Sequence, residues 1–330
     1  MASAPTNSYE AHPLTGKLLK TFFGVYPIGP LASMPIARLL RHLGTRLPFA
    51  FVLRYHSISD NAYSLPGLAV RASAFEAQLR WLASHFQPVT LDGLCSGTSG
   101  SGVRFAITFD DGYRDNYSTA LPLLKAVNVP ATVFVTTGCV GSEMRIWVDE
   151  LVEHARALRW KFGRLRREFL QAMRATPQER TAFISGLRLA SGVTGKEIAA
   201  SIPMLGWDDL HQLEQSGIVR VGAHTVTHPR LSQLTPADVT REALGSKHAL
   251  EAKLGSTVSS FAIPFGAAAD FTPSTVESLR QSGFDIICSS LSGVVRPASD
   301  RLVVPRVGVY ADDTVASILT KVLRALSSRA

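Results

Sequence analysis

From residue 51 onward the chain repeats a short apolar run rich in Val, Ile and Phe, then a turn, then a segment of helical period. That is the rhythm of successive β/α units. The runs that read as strands are 51–55, 104–109, 131–136, 219–222, 259–263 and 284–288, with a weaker one at 303–309. Helical segments fall at 73–85, 117–127, 208–216, 236–254, 273–282 and 313–326. Several carry start signals: Thr235 precedes Pro236, Thr272 precedes Pro273, and Asp312 or Asp313 opens the last. Six or seven strand-helix repeats predict an α/β fold, a closed or nearly closed (β/α) barrel rather than an open sheet.

One stretch breaks the rhythm. Between Trp147 and Ser201 no strand pattern appears, and the composition suits two or three helices inserted into a βα connection. The 330 residues admit one large domain or two small ones. We divide them into an N-terminal extension, 1–49, and a catalytic domain, 50–330, carrying the insertion at about 147–201. With 46% hydrophobic and 18% charged residues the chain has material for a core and too little charge for disorder. The segment SGTSGSG, 96–102, reads as a surface loop.

The net charge of +8 raises the question of an anionic partner. Its location answers part of that question. From Ala11 to Ser59 there are six basic residues (Lys17, Lys20, Arg38, Arg41, Arg46, Arg54) and no acid. Between His154 and Arg188 there are nine basic residues (Arg156, Arg159, Lys161, Arg164, Arg166, Arg167, Arg174, Arg180, Arg188) against Glu168 and Glu179. These two segments exceed the excess of the whole chain, so the rest is mildly acidic. The first, interleaved with Phe22, Phe23 and Tyr26, is either a peripheral contact with an anionic membrane or a segment packed on the domain. The second is either a contact for diphosphate or bilayer, or a solvated helical face. Neither has a nucleic-acid-binding motif beside it, and no nucleic acid is expected.

Chemistry gathers behind the predicted strands, where barrels place their active sites. Asp110 and Asp111 follow the run RFAI in Thr-Phe-Asp-Asp-Gly. Adjacent carboxylates need a cation or a proton to hold them together, although Asp-Asp-Gly is also ordinary turn chemistry. His224 and His228 follow VRVGA in His-Thr-Val-Thr-His. Two imidazoles at that spacing reach one metal ion, and with a carboxylate they form a facial set with open positions. Two more clusters face the same mouth: Pro264-Phe265-Gly266, which is a contact for substrate or a plain turn, and Tyr55-His56 after the first strand.

The ordered set TFDDG, HTVTH and PFG resembles the polysaccharide deacetylase family, the NodB-homology or carbohydrate esterase family four, over roughly residues 50–310. The resemblance implies a distorted (β/α) barrel of about seven strands. It makes Asp110 the general base and Asp111, His224 and His228 the ligands of a divalent metal, usually Zn2+. A backbone N–H near Tyr113 would help hold the oxyanion, and Tyr113, Pro264, Phe265 and Asp149 would line the substrate, Asp149 either touching it or Asp110 or serving with Trp147 in packing and loop shaping. Two departures stand out. Ala262 occupies the place of the arginine that orients the catalytic aspartate, and Arg306, in Val-Pro-Arg-Val, is the candidate replacement. No late histidine exists after His248, so His56 takes the general-acid role, as in the subgroup that deacetylates biofilm poly-N-acetylglucosamine.

The expected reaction is removal of N-acetyl groups from amino sugars of a polysaccharide or its lipid-linked precursor. Other readings are a metal-dependent amidohydrolase of non-carbohydrate amides and an inactive glycan-binding barrel. Met1 to Pro13 has no secretory-signal pattern, no apolar run is long enough to span a bilayer, and the three scattered cysteines suit a reducing compartment. A cytoplasmic location, peripheral to the inner membrane, is the expectation.

Overall fold

The computed structural model describes residues 33–46, 48–60, 65–95, 102–296 and 303–327. Eleven strands are present among them: β1 Phe49–Tyr55, β2 Ser57–Ile58, β3 Ala69–Val70, β4 Gln87–Pro88, β5 Val103–Phe109, β6 Ala131–Val135, β7 Val219–Ala223, β8 Ser260–Ala262, β9 Ile286–Cys288, β10 Val303–Val304 and β11 Val307–Gly308. The main sheet runs β10-β9-β8-β7-β6-β5-β1-β11, every pair parallel, with β4 beside the start of β5.

The two ends of that order belong to one short segment. Val303 and Val304 pair with Ile287 and Cys288 of β9, whereas Val307 and Gly308 pair with Leu53 and Arg54 of β1. Pro305 and Arg306 make the step between them. The segment 303–308 therefore stitches both edges of the sheet, and with β1, β5, β6, β7, β8 and β9 it completes a distorted barrel of about seven strands, as expected. Closure removes the free edges that an open sheet would expose.

Strand alternation sorts the side chains into two layers. Phe51, Tyr55, Phe105 and Phe109 face the helices; Phe51 stacks on Phe105 at 5.9 Å, and Tyr55 and Phe109 both meet Phe75. Ala50, Val52, Ala106, Phe134, Ala262, Cys288 and Val304 fill the barrel interior. By the same alternation Arg54, His56, Thr108, Asp110, Gly222, His224 and Arg306 belong to the interior face. The functional groups are thus the upper layer of the barrel's own filling.

The insertion holds four helices, Trp147–Ala157, Phe162–Arg174, Pro177–Ser191 and Gly195–Ser201, where two or three were expected. Thr176 and Thr194 each form a capping box with Glu179 and Glu197, and these caps divide the segment more finely than its apolar pattern does. Arg145 is buried and donates to the carbonyls of Ile202 and Ala199, which holds the end of the last of these helices to the barrel. Of the basic residues here, Arg156, Arg159, Lys161, Arg164, Arg167, Arg174 and Arg188 are exposed. Arg180 is buried, donating to Ala172, Ala175 and Gln233 and lying over the Trp147 ring.

Within the N-terminal extension, helix Ser33–Arg46 packs on the barrel through Ala37 and Leu40. Gly44 lies so close that a Cβ there would stand 2.5 Å from Val103. Residues 1–32, which carry Lys17, Lys20 and the aromatic residues of the expected membrane contact, and most of the loop 96–102 lie outside the described residues. No helix among the described residues is long and apolar enough to cross a membrane.

Interior packing leaves no room at Gly222, where a Cβ would meet Phe134 at 2.5 Å and Ser260 Oγ at 2.8 Å. Gly222→Ala is expected to destabilise the protein by about 1–3 kcal/mol through overpacking, read from urea denaturation. An unchanged midpoint would show that the interior is looser than described.

Candidate active site

Asp110 and Asp111 leave β5 in opposite directions. Asp110 continues the interior face, and its backbone N–H still donates to Tyr55 at 3.0 Å. Asp111 turns at φ 78°, a left-handed conformation that costs a non-glycine residue about 1 kcal/mol or more. That turn separates the two carboxylates and hands each to a different partner.

Arg306 takes Asp110 in a two-pronged ion pair, Nη1 to Oδ1 at 2.6 Å and Nη2 to Oδ2 at 2.8 Å. Its Nε donates to the Ser289 carbonyl at 2.9 Å, and Nη1 also reaches Thr108 Oγ1 at 3.2 Å. Both partners are buried. Burial pushes the Asp110 carboxyl up, but Arg306, His224 and His56 together outweigh it and hold the group below its ordinary value. Arg306 is the arginine that Ala262 fails to supply.

Asp111 Oδ1 lies 3.4 Å from His224 Nε2 and 3.3 Å from His228 Nε2. Burial raises the Asp111 carboxyl and the two imidazoles more than reverse this, leaving it well below its ordinary value. His224 Nδ1 is 2.7 Å from the Ala262 carbonyl, an acceptor only, so in the neutral ring Nδ1 carries the proton and Nε2 presents a lone pair. His228 is pushed down by burial above all, which favours its neutral ring. Two imidazole nitrogens and a carboxylate oxygen, all within 4.8 Å, fit a cation among them. The carbonyl behind His224 is the kind of partner that fixes a metal-ligating ring.

The loop bearing the histidines is strained and held. Thr225 and His228 both have positive φ, at 67° and 56°. Thr225 Oγ1 accepts from the His228 N–H at 2.9 Å, and Glu242, on helix Pro236–Leu254, accepts from the N–H groups of Val226 and Thr227 and from the Thr227 hydroxyl. The carbonyls of Thr225 and Val226 accept from Thr137 and Gly138. Sequence reasoning missed Glu242, which lies fourteen residues beyond His228 with no motif around it.

His56 follows β1 as Asp110 follows the adjacent β5. Asn116 Nδ2 donates to its carbonyl at 2.7 Å, and Asp115 accepts from Ser57 Oγ and from the Ile58 N–H. Asp115 and Asn116 were likewise missed, although they stand close after the Asp-Asp-Gly motif. His56 Nδ1 is buried without a hydrogen-bond partner. Burial pushes the imidazole down to about 4, with Asp111 opposing and Arg54 adding to the effect. The resting ring is neutral at neutral pH.

Phe265, at φ 60°, sets its ring 4.9 Å from His228 and 6.1 Å from Trp147, which stacks on Phe169 of the insertion at 5.9 Å. Pro264 is buried beneath this wall. Tyr113 is also buried, and its hydroxyl donates to Asp149 at 3.0 Å. Asp149, expected either to touch substrate or Asp110 or to pack and shape the loop, lies buried with its carboxylate accepting from the Tyr113 hydroxyl, because helix Trp147–Ala157 turns it inward.

A family model described as polysaccharide deacetylase matches residues 99–287. The chain belongs to the polysaccharide deacetylase family. Among curated relatives, the poly-β-1,6-N-acetyl-D-glucosamine N-deacetylase of Escherichia coli K12 is 29% identical over 102 residues, covering 29% of this chain and 14% of that protein. The enzyme of the same name from Staphylococcus aureus MSSA476 is 32% identical over 110 residues, covering 28% and 38%. The matches thus span well under half the length of these relatives. The solved structure of IcaB from Ammonifex degensii aligns with TM-score 0.59 at 23% identity, over 83% of this chain and 96% of that one. Streptococcus pyogenes deacetylase PplD, in complex with acetate, aligns at 0.57 with 18% identity, over 83% and 98%. These structures share the deacetylase fold.

The sign of the Asp110 shift makes a prediction. A carboxyl held below its unfolded value of about 3.9 contributes stability above that pH and loses it as pH falls. Arg306→Met strands the buried carboxylate and is expected to cost about 3–5 kcal/mol at pH 7. The deficit should shrink toward pH 4, where Asp110 is protonated more readily in the variant. Urea denaturation at both pH values tests this, and a deficit under about 1 kcal/mol at pH 7 would contradict the pairing.

Proposed function

We propose that this protein is a metal-dependent hydrolase that removes N-acetyl groups from amino sugars of a polysaccharide or its lipid-linked precursor, releasing acetate. The observation that carries this reading is the division of labour between adjacent carboxylates: Asp110 paired with Arg306, and Asp111 facing His224 and His228. An acetamide needs an activated water, a stabilised oxyanion and a proton for the departing amine. Family membership supports the same chemistry, and the names of the relatives point to N-acetylglucosamine polymers.

A divalent ion, Zn2+ in this reading, would be held by Asp111, His224 and His228 and would supply an acidified water and Lewis acidity toward the acetamide carbonyl. Asp110 takes the proton of the attacking water, and Arg306 keeps its carboxylate ionised and aimed. The backbone near Tyr113 donates toward the oxyanion, with Asp149 fixing the Tyr113 ring. His56 starts neutral, takes up a proton from solvent as negative charge builds on the acetamide, and passes it to the sugar nitrogen as the C–N bond breaks, while Asp110 returns the water's proton to solvent. Phe265 supplies an apolar face for the sugar or its acetyl methyl, and Pro264 sets the turn. In this reading residues 50–330 form the catalytic domain with the insertion at its mouth, and 1–49 is the extension that would meet an anionic membrane.

Asp110→Asn is expected to abolish acetate release from N-acetylglucosamine oligomers while keeping stoichiometric metal. His228→Ala is expected to lose both. Acetate assay and metal analysis on the same preparations test the roles, and full activity in either variant would sink these assignments.

A further inference from the structure

Arg54 belongs to the same interior layer as His56, two residues earlier on β1. Its guanidinium donates to Ser290 Oγ and, at 3.1 Å, to the Tyr310 hydroxyl. Gly308 makes room for it: a Cβ there would stand 3.1 Å from Arg54 Nη2 and 2.7 Å from the Tyr310 oxygen. Ser290 is tied to the Pro-Phe-Gly turn, its N–H donating to the Gly266 carbonyl at 2.8 Å. Arg54 is therefore half-buried at the mouth, among groups that follow β8, β9 and β11.

The charges around this seam are unequally matched. Arg306 has Asp110, and Lys321 has Asp313. Arg54 has two neutral hydroxyls, and its Nε is buried with no hydrogen-bond partner. Hydroxyl dipoles orient a guanidinium without neutralising it, and a partly desolvated cation with unfilled donors is costly. A guanidinium has five N–H donors in a planar fork, which suits the paired oxygens of a carboxylate or phosphate.

We infer that Arg54, Ser290 and Tyr310 form an anion-recognising subsite beside the catalytic centre, which takes a carboxylate or phosphate carried by the N-acetylated sugar. This rests on the deacetylase reading for its substrate, and it makes Arg54 a specificity-determining residue.

The test compares acetate release by the full-length, metal-loaded protein from three substrates. These are a neutral N-acetylglucosamine oligomer, an oligomer alternating N-acetylglucosamine with glucuronate, and N-acetylglucosamine 1-phosphate. At least one anionic substrate is expected to exceed the neutral one about 10-fold in kcat/KM, the scale of one charge-assisted contact. The two anionic arms tell carboxylate from phosphate. Arg54→Gln, which can still bond a hydroxyl, is expected to bring the ratio to about one, and Arg54→Lys to keep part of it. A wild-type ratio near one in both arms, or a ratio untouched by Arg54→Gln, overturns the subsite.

A binding measurement separates this inference from the deacetylase reading. Calorimetric titration of metal-free protein with glucuronate and with inorganic phosphate is expected to show binding that Arg54→Gln weakens about 10-fold at an unchanged Tm. No binding by the wild type, or equal binding by the variant, overturns the subsite whatever the turnover. Arg54-dependent binding without acetate release from any sugar would instead keep the subsite and reject the deacetylase.

Discussion

Burying two carboxylates side by side in a medium that solvates charge poorly costs several kcal/mol unless each has its own compensation. Asp110 and Asp111 stand one residue apart, both nearly inaccessible to solvent. The left-handed turn at Asp111 makes the pair tolerable, because it sends one carboxylate to a guanidinium and the other to two imidazoles. Their chemistries diverge for the same reason. A carboxylate clamped by Arg306 is held ionised and fixed in direction, which suits a base, whereas one facing two imidazoles suits a cation site.

Closure of the barrel and compensation of this charge are the same event. The segment 303–308 pairs with β9 on one side and β1 on the other, and Arg306 sits at the step between the two pairings. Its N–H donates to Leu291, its Nε to Ser289, and its remaining nitrogens to Asp110 and Thr108. A guanidinium held by carbonyls on one flank and a carboxylate on the other is at once a structural tie and a positioning group. Arg54 lies across the same seam with hydroxyl partners only, which is why it reads as a recognition element and Arg306 does not.

The strand rhythm and the clustering of Asp110, Asp111, His224 and His228 were legible because each rests on short-range pattern: alternation of apolar runs, and polar groups at fixed offsets behind them. Arg306 was legible only through the resemblance, since Ala262 stands where the family carries the arginine that orients the aspartate and another arginine had to be sought. Glu242, Asp115 and Asn116 were not, because they meet the site through tertiary approach of a helix or a turn, and nothing local marks a glutamate that will cap a distant loop. Asp149 was singled out beside Trp147, but its bond to Tyr113 was not legible, since the direction of its helix decides that meeting. The insertion was undercounted although the Thr-x-x-Glu signals at Thr176 and Thr194 were there to be read. The excess positive charge was localised by counting alone, but only packing distinguishes the buried Arg180 from the exposed arginines around it.

The account stands on Asp111, His224 and His228 acting as one cation site. Anomalous diffraction at the zinc edge, from crystals of protein reloaded with zinc after chelation, addresses that directly. The account predicts one strong peak about 2.0–2.2 Å from an Asp111 oxygen and one nitrogen of each histidine, with Asp110 still paired to Arg306. A structure in which zinc is absent from this triad, or bound elsewhere while Asp111 stays against the two imidazoles, would contradict it.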